Sequence, residues 1–254
     1  MGILNVTPDS FSDGAQFMAP ERALTQARRL VAEGAEIIDI GAESTRPYGS
    51  KPVSADEELE RLRPVLADIV SLGVPVSIDS MKPAVVAWAL DRGAAIANDV
   101  WGLQRDPEMA AVVARHHAPV VVMHNRERVD AAIDIMQDIA AFFTRSLEIA
   151  DKAGISRENI LLDPGIGFGK TPEQSMTALA RLDELSAFGL PLLAGASRKR
   201  FISTVTPAEP HQRLGGSIAA HLVAAKGGAR IIRTHDVLET VQALRVAAAI
   251  WDRQ

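Results

Sequence analysis

The chain has 254 residues, of which 47% are hydrophobic and 23% are charged, and these values are typical of a globular protein and exclude a disordered one. Its 27 Lys and Arg residues against 32 Asp and Glu residues give a net charge of −5, and the sequence has no block of basic residues that would favour nucleic acid or an anionic membrane. The absence of cysteine excludes disulfides, thiolate metal sites and a cysteine nucleophile.

No apolar run reaches the roughly 18 residues that a membrane span requires. The N-terminus lacks a basic leader followed by an apolar stretch. We therefore predict a cytoplasmic protein that binds neither nucleic acid nor a membrane.

Strand and helix patterns alternate along the whole chain without a linker. Eight segments have the length and apolar content of buried strands, and they are residues 1–6, 35–40, 74–79, 94–98, 119–123, 160–162, 192–195 and 230–233. Helical patterns follow them over residues 20–31, from 54, over 80–93, from 106, up to 153, and over 173–187, 212–226 and 237–250. Strict alternation predicts a single α/β domain over residues 1–254, folded as a (β/α)8 TIM barrel.

The first strand begins at Met1 and leaves no residues to cover the base of such a barrel. We therefore expect a short N-terminal piece to be missing from this sequence or from this protein.

Six strands end directly in polar or charged residues. The junctions are Ile3-Leu4-Asn5, Ile37-Ile38-Asp39-Ile40-Gly41, Val76-Ser77-Ile78-Asp79, Ile96-Ala97-Asn98-Asp99, Ile160-Leu161-Leu162-Asp163 and Ile231-Ile232-Arg233-Thr234-His235. Parallel strands deliver such residues to one rim, where TIM barrels have their active sites.

Three of these residues, Asp79, Asn98 and Asp163, could each cap the helix that follows. Together on one rim, two carboxylates and an amide favour a site for a flat heterocycle, held by its NH, amino and ring-nitrogen edge. We interpret Asp39 and Asp99 as structural partners of loop amides.

Arg233 and His235 alternate along the last strand and can present two donors to an anion, although an ion pair with Asp236 is the alternative. The cationic segment 197–200 after the seventh strand either binds an anion at the same rim or is simply solvated.

The glycine-rich segment 165–170 fails the spacing of a Walker loop and of a dinucleotide fingerprint. It predicts instead a mobile loop over the mouth of the barrel with an exposed Phe168. His124, which has no partner pattern, is interpreted as structural rather than as a metal ligand.

Five segments resemble the signature segments of the dihydropteroate synthase family, in family order and across essentially the whole chain. They are MGILNVTPDSFSDG at 1–14, GAESTRP at 41–47, LDPGIGFGK at 162–170, Ser197-Arg198-Lys199 and RTHDV at 233–237. The first two are highly specific, whereas the glycine segment alone is weak.

The resemblance implies the condensation of 6-hydroxymethyl-7,8-dihydropterin diphosphate with p-aminobenzoate, using Mg²⁺, in a homodimer. It implies a pterin site at Asp79, Asn98, Asp163 and Lys199, with Arg233 stacking on the pterin and also facing the diphosphate. It places Asn5, Thr45, Arg46 and His235 around the diphosphate or its Mg²⁺, with Asn5 as the metal ligand. It implies a p-aminobenzoate pocket formed by Phe11, Thr45, Arg46, Pro47, Phe168 and Ser197. The expected catalytic residues are Asn5, Asp79, Lys199, Arg233 and His235.

Three residues depart from the family pattern: Arg200 replaces a small residue, Ser175 replaces Asn, and Asn125 replaces Met. The loop after the fifth strand is also short. These departures leave the fit of the amine substrate and sulfonamide sensitivity open.

Two other functions remain possible at this point. A pterin-binding methyltransferase domain with a corrinoid partner would share the pterin edge but would not need the diphosphate groups. A non-catalytic pterin-binding protein is the other alternative, and the retained diphosphate groups argue against it.

Overall fold

A computed structural model describes residues 1–6, 19–43 and 53–253. Its eight strands are β1 (Gly2–Asn5), β2 (Ile38–Gly41), β3 (Val76–Asp79), β4 (Ile96–Asp99), β5 (Val120–Met123), β6 (Ile160–Asp163), β7 (Leu192–Ala194) and β8 (Ala229–Ile232). All neighbouring strands pair in parallel, in the order β1 to β8.

The last strand returns to the first. Thr234 forms a parallel bridge with Gly2, and its carbonyl accepts the Ile3 amide at 2.9 Å. The terminal ammonium of Met1 donates to the carbonyl of Ile232 at 3.0 Å. These contacts close the sheet and confirm the predicted TIM barrel.

Ten helices are described in the intervening segments. They are α1 (Ala19–Ala32), α2 (Ala55–Leu62), α3 (Leu66–Val70), α4 (Pro83–Leu90), α5 (Pro107–His116), α6 (Ile135–Ala153), α7 (Pro172–Ala180), α8 (Arg200–Val205), α9 (Leu214–Lys226) and α10 (Val237–Trp251). None of the helices in the described ranges is long and apolar enough to cross a membrane.

Local sequence explains several helix ends. Ser54 accepts the Glu57 amide and opens α2, as predicted, and Asp106 caps α5 in the same way. Gly154 ends α6 in the left-handed conformation at φ 80°. Pro64 has a larger effect than the predicted kink, because it separates α2 from α3.

One helix prediction was wrong in detail. The helix predicted over 173–187 ends at Ala180, because Arg181 leaves helical geometry at φ −114° and ψ 25°, and 3-10 turns follow over Leu182–Phe188. The segment after Lys199 forms the six-residue α8, which is too short to show an apolar period.

The barrel interior places the polar strand ends. Ile37, Val121, Leu161 and Ile231 belong to an apolar layer inside the barrel. Strand side chains alternate with a period of two, so the residue two positions further along each strand also points inward, one layer nearer the carboxyl ends. Those residues are Asp39, Met123, Asp163 and Arg233.

Candidate active site

Four of the predicted rim residues line one cavity at the carboxyl ends of the strands. Polar side chains and apolar ones share its wall. The residues that line it are Asp79, Asn98, Asp163, Lys199 and Arg233, together with Val100, Met123, Ile166, Phe168 and Gly195. Asp79 lies opposite Asn98 in the β3–β4 register, which brings two residues predicted for one edge side by side.

Arg233 joins two carboxylates across the mouth of the barrel. Its Nε donates to Oδ2 of Asp39 at 2.6 Å and its Nη2 donates to Oδ2 of Asp79 at 2.7 Å. Burial opposes the charge of Arg233, but the two carboxylates outweigh burial and raise its pKa further above the ordinary value. The guanidinium is therefore permanently charged and held at the centre of the site.

Asp39 was wrongly interpreted as a partner of loop amides. It is 0% exposed and accepts hydrogen bonds from three side chains. Ser77 Oγ donates at 2.6 Å, Asn98 Nδ2 lies 3.2 Å from both carboxylate oxygens, and Arg233 completes the set. The signal was present in the sequence, because a charged residue between Ile38 and Ile40 inside a strand must face a polar interior.

Asp79 keeps one oxygen for an incoming ligand. Its Oδ2 binds Arg233, while its buried Oδ1 has no hydrogen-bond partner among the described residues. Burial, with a smaller contribution from Asp39, raises the pKa of Asp79 to about 7 against the opposing charge of Arg233. A buried carboxylate oxygen without a partner is costly, so a donor on a ligand would bind it favourably.

Asp163 forms the opposite wall of the cavity. Its Oδ1 accepts the Gly165 amide at 2.7 Å, and burial raises its pKa, although that hydrogen bond and the charge of Lys199 oppose the shift. Asn98 has its amide nitrogen turned toward Asp39. The three residues predicted for one recognition edge thus line one cavity.

His235 and Ser197 form a pair on the β7–β8 side. Ser197 Oγ accepts the backbone N–H of His235 at 3.1 Å and lies 2.9 Å from its Nδ1. Burial first, and then the charges of Arg233 and Arg198, lower the pKa of His235 to about 3. The ring is therefore neutral near pH 7, and a serine hydroxyl that donates to Nδ1 leaves the proton on Nε2.

Arg198 has a structural partner. It pairs with Asp236 through Nε at 3.0 Å and through Nη2, and its backbone N–H donates to Ser217 Oγ at 2.8 Å. The ion pair with Asp236 that we considered for the β8 residues is thus made by Arg198. The cationic segment 197–200 is therefore not a uniform anion site.

Phe168 is buried, and the prediction that its ring is exposed was wrong. It is 9% exposed and packs with Val100 and Met123, because an aromatic ring on this loop gains more by covering that apolar wall than by facing water. The ammonium of Lys199 lies 4.0 Å from its ring centroid. Phe168 therefore forms an apolar wall beside the polar edge.

Two other sequence interpretations concern His124 and Asp99. His124 is fully buried, and its ring nitrogens contact Asp138 and Lys170, as expected for a structural residue. Asp99 accepts the backbone N–H groups of Trp101 and Leu103, as predicted.

The departures from the family pattern have local structural roles. Ser175 Oγ accepts the Gly167 amide at 3.2 Å, and Asn125 Nδ2 donates to the carbonyl of Val100 at 3.0 Å. Arg200 is exposed at the first position of α8.

Asn5 lies at the carboxyl end of β1, opposite Gly41, and is half-buried. The predicted site residues Phe11, Thr45, Arg46 and Pro47 lie outside the described residues.

Comparison with known proteins gives consistent matches over the full chain. A model of the family described as pterin binding enzyme matches residues 1–235. The dihydropteroate synthase of Bacillus subtilis is 43% identical over 254 residues, which are 100% of this chain and 88% of the relative.

Solved structures agree in fold as well as sequence. A dihydropteroate synthase from Clostridium difficile, determined in the presence of pteroic acid, superposes with a TM-score of 0.95 at 46% identity, covering 99% of this chain and 95% of the other. The Xanthomonas albilineans enzyme in complex with 7,8-dihydropteroate gives a TM-score of 0.91 at 42% identity, with coverage of 99% and 92%.

Proposed function

The chain belongs to the family of pterin-binding enzymes, and from that membership we propose how the residues of the rim cavity perform its reaction. The chain is a transferase of folate biosynthesis with dihydropteroate synthase activity. It joins 6-hydroxymethyl-7,8-dihydropterin diphosphate to p-aminobenzoate and gives 7,8-dihydropteroate and diphosphate.

The pterin binds in the cavity through its NH and amino edge. Asp163 and the unpartnered Oδ1 of Asp79 accept its hydrogens, Asn98 and Lys199 complete the polar contacts, and Arg233 covers its face. The observation that carries this assignment is the buried oxygen of Asp79 that has no partner within residues 1–6, 19–43 and 53–253, because it supplies an acceptor where the heterocycle has donors. The apolar side chains of Val100, Met123 and Ile166 cover the remaining surface of the ring system.

The diphosphate leaves toward the β8 side of the mouth. Arg233 offers a permanent charge there, and His235 offers Nε2–H in the tautomer in which Ser197 donates to Nδ1. Donors already in place where negative charge develops stabilise the transition state without reorganisation. A neutral His235 can serve as a hydrogen-bond donor but not as a cation.

Asn5 is the proposed metal ligand among the described residues. Mg²⁺ binds hard oxygen ligands and usually combines one or two protein groups with substrate phosphates and water. A single amide oxygen at the strand end fits that donor set, and Thr45 and Arg46 complete the diphosphate side in the proposal. When bound, Mg²⁺ neutralises charge on the leaving diphosphate.

The bond-forming step needs positioning more than acid–base chemistry. The C–O bond to diphosphate breaks, the neutral amine of p-aminobenzoate forms a C–N bond to the pterin methylene carbon, and the amine then loses one proton to solvent. Phe168 and Ser197, with Phe11, Thr45, Arg46 and Pro47, form the proposed amine pocket. Holding the two reactants in contact supplies much of the acceleration.

A homodimer and a cytoplasmic location are further parts of the proposal. Leu238, Val246 and Ile250 are all more than half exposed on α10, and Val223 is 49% exposed on the adjacent α9. An apolar surface of this kind is typical of a subunit interface. Sedimentation of the wild type and of Ile250→Glu tests the proposed homodimer, and a monomeric wild type would contradict it.

A steady-state assay tests the function. The wild type with both substrates and Mg²⁺ should release diphosphate and 7,8-dihydropteroate in equal amounts, and omission of p-aminobenzoate should abolish the pteroate product. The methyltransferase alternative requires methyl transfer and no diphosphate release. A chain that binds pterin without forming product would support the non-catalytic alternative.

A further inference from the structure

A buried polar cluster lies behind the glycine loop, outside the substrate-facing groups. Lys170 is 6% exposed, and its Nζ has three partners. They are His124 Nδ1 at 2.6 Å, the carbonyl of Gly165 at 2.9 Å and the carbonyl of Phe168 at 3.2 Å. Burial lowers the pKa of Lys170 to about 7. In its protonated form the ammonium has three hydrogens, so each partner can receive one.

The orientation of His124 follows from its other contact. Its Nε2 lies 2.9 Å from Oδ2 of Asp138, which also accepts from Arg126 at 2.8 Å. Burial, assisted by the charge of Lys170, lowers the pKa of His124 to about 3, so the ring is neutral. A neutral ring that donates from Nε2 to a carboxylate has Nδ1 free to accept from Lys170.

The glycine loop is folded tightly around this ammonium. Gly165 has φ 65°, and a Cβ there would lie 1.9 Å from the carbonyl oxygen of His124. Gly169 has φ 56°, and a Cβ would lie 2.5 Å from the Cβ of Arg126. Only glycine allows this close approach, which brings the Gly165 and Phe168 carbonyls onto one Nζ.

The geometry assigns Lys170 as a positioning residue for the amine substrate, acting through the backbone of Phe168 and itself oriented by His124 and Asp138. The assignment deepens the proposed function and rests on it. Lys170 donates to the backbone carbonyl of Phe168. The ring of the same residue lines the cavity and contacts the ammonium of Lys199. Lys170 itself directs its hydrogens into the protein, so it does not touch substrate.

Asp163 is anchored mainly by its strand, and Lys170 reaches it only through Gly165, whose carbonyl accepts from Lys170 and whose amide donates to Asp163. Asp163 lies within β6, and its carbonyl accepts the His124 amide at 2.9 Å as part of the strand pairing. Its side chain binds the Gly165 amide. Loss of Lys170 should therefore displace Phe168 much more than Asp163.

Lys170→Met tests the assignment, because methionine keeps the length of the side chain and removes its donors. We expect KM for p-aminobenzoate to rise at least about fivefold while KM for the pterin diphosphate stays within about twofold. Lys152→Met, at an exposed lysine of α6, is the matched control and should leave both values unchanged. Equal changes in both constants, or none in either, would overturn the assignment.

Two further measurements test the assignment if Lys170→Met folds poorly or if the wild type shows no turnover. Asp138→Ala, at a partly exposed position, should shift the p-aminobenzoate KM in the same direction by a smaller factor. Amide hydrogen exchange over 165–169 should be faster in Lys170→Met than in Lys152→Met. A wild type without turnover would refute the proposed function, whereas unchanged exchange in Lys170→Met would refute the role of Lys170 by itself.

Discussion

The substitution Asp39→Asn tests the central ion-paired network. Asp39 accepts from Ser77, Asn98 and Arg233, and asparagine has only one side-chain oxygen to offer these three donors. At least one donor would then face an NH₂ group. Asparagine nearly preserves the volume of aspartate, so the change isolates charge and hydrogen bonding from packing.

The expected loss in the free energy of unfolding depends on the hydrogen bonds that Arg233 retains. Removing one partner of a buried ion pair costs about 3–5 kcal/mol. Arg233 keeps its bond to Asp79 and asparagine keeps one oxygen, so we expect a loss of about 2–3 kcal/mol in the free energy of unfolding. For a chain of this size that loss lowers Tm by roughly 5–10 °C.

The functional effect should exceed the effect of destabilisation alone. Without Asp39, the guanidinium of Arg233 should draw closer to Asp79 and compete with the ligand for that carboxylate. We expect a pterin without diphosphate to bind about tenfold more weakly, equivalent to about 1.4 kcal/mol, by isothermal titration calorimetry.

Asp99→Asn is the matched control. Asp99, at the end of β4, is also a buried carboxylate, but its two oxygens accept hydrogen bonds from the backbone amides of Trp101 and Leu103. The control should lose stability and keep pterin affinity within about twofold. If Asp39→Asn leaves Tm within about 1 °C of wild type, or affects affinity no more than the control does, the network described here is wrong.

Asp163→Ala should abolish measurable pterin binding in calorimetry, because a charged acceptor worth about 1.5–3 kcal/mol is lost and its ligand donors are left unpaired; affinity within about twofold of wild type would remove Asp163 from the site. His235→Ala should slow turnover much more than it weakens binding of a pterin without diphosphate, and equal effects on both would contradict its leaving-group role. The pKa of Asp79 is raised from its ordinary value of 3.8 to about 7 in the folded chain. Between these two pH values the folded chain binds one more proton than the unfolded chain, so the contribution of Asp79 to the free energy of unfolding is lost as pH rises through about 7. Pterin affinity should rise over the same range as Asp79 becomes an acceptor, and Asp79→Asn should remove the rise; a pH-independent wild type would contradict it. Arg200→Ser should raise KM for p-aminobenzoate severalfold if the guanidinium meets the substrate carboxylate, and unchanged kinetics would assign Arg200 to the solvated surface.

The barrel and its rim were predictable because both depend on local patterns. Apolar strands ending in Asp79, Asn98 and Asp163 require only a period of two and a parallel sheet to converge. The position of Asp39 within its strand indicates a polar interior but does not identify its partners. Ser77 lies opposite Asp39 on the next strand, whereas Arg233, near the end of the chain, is brought to Asp39 only by closure of the barrel.

The glycine loop shows a different limit of sequence reasoning. Alternating glycines predicted backbone freedom, but the same residues also permit close approach to neighbouring backbone. Which of the two occurs depends on the buried Lys170 and His124, and their contact spans 46 positions in the sequence. The sequence pattern contains no sign of that contact.

A crystal structure of the chain with bound pterin would show whether Asp79 and Asp163 hold the heterocycle. We expect a ring nitrogen or amino group within about 3 Å of Asp79 Oδ1, the buried oxygen that has no partner among the described residues, and a second donor on Asp163. The pterin face should lie against Arg233. A pterin bound elsewhere, or in the cavity with Asp79 Oδ1 still unpartnered, would contradict the account.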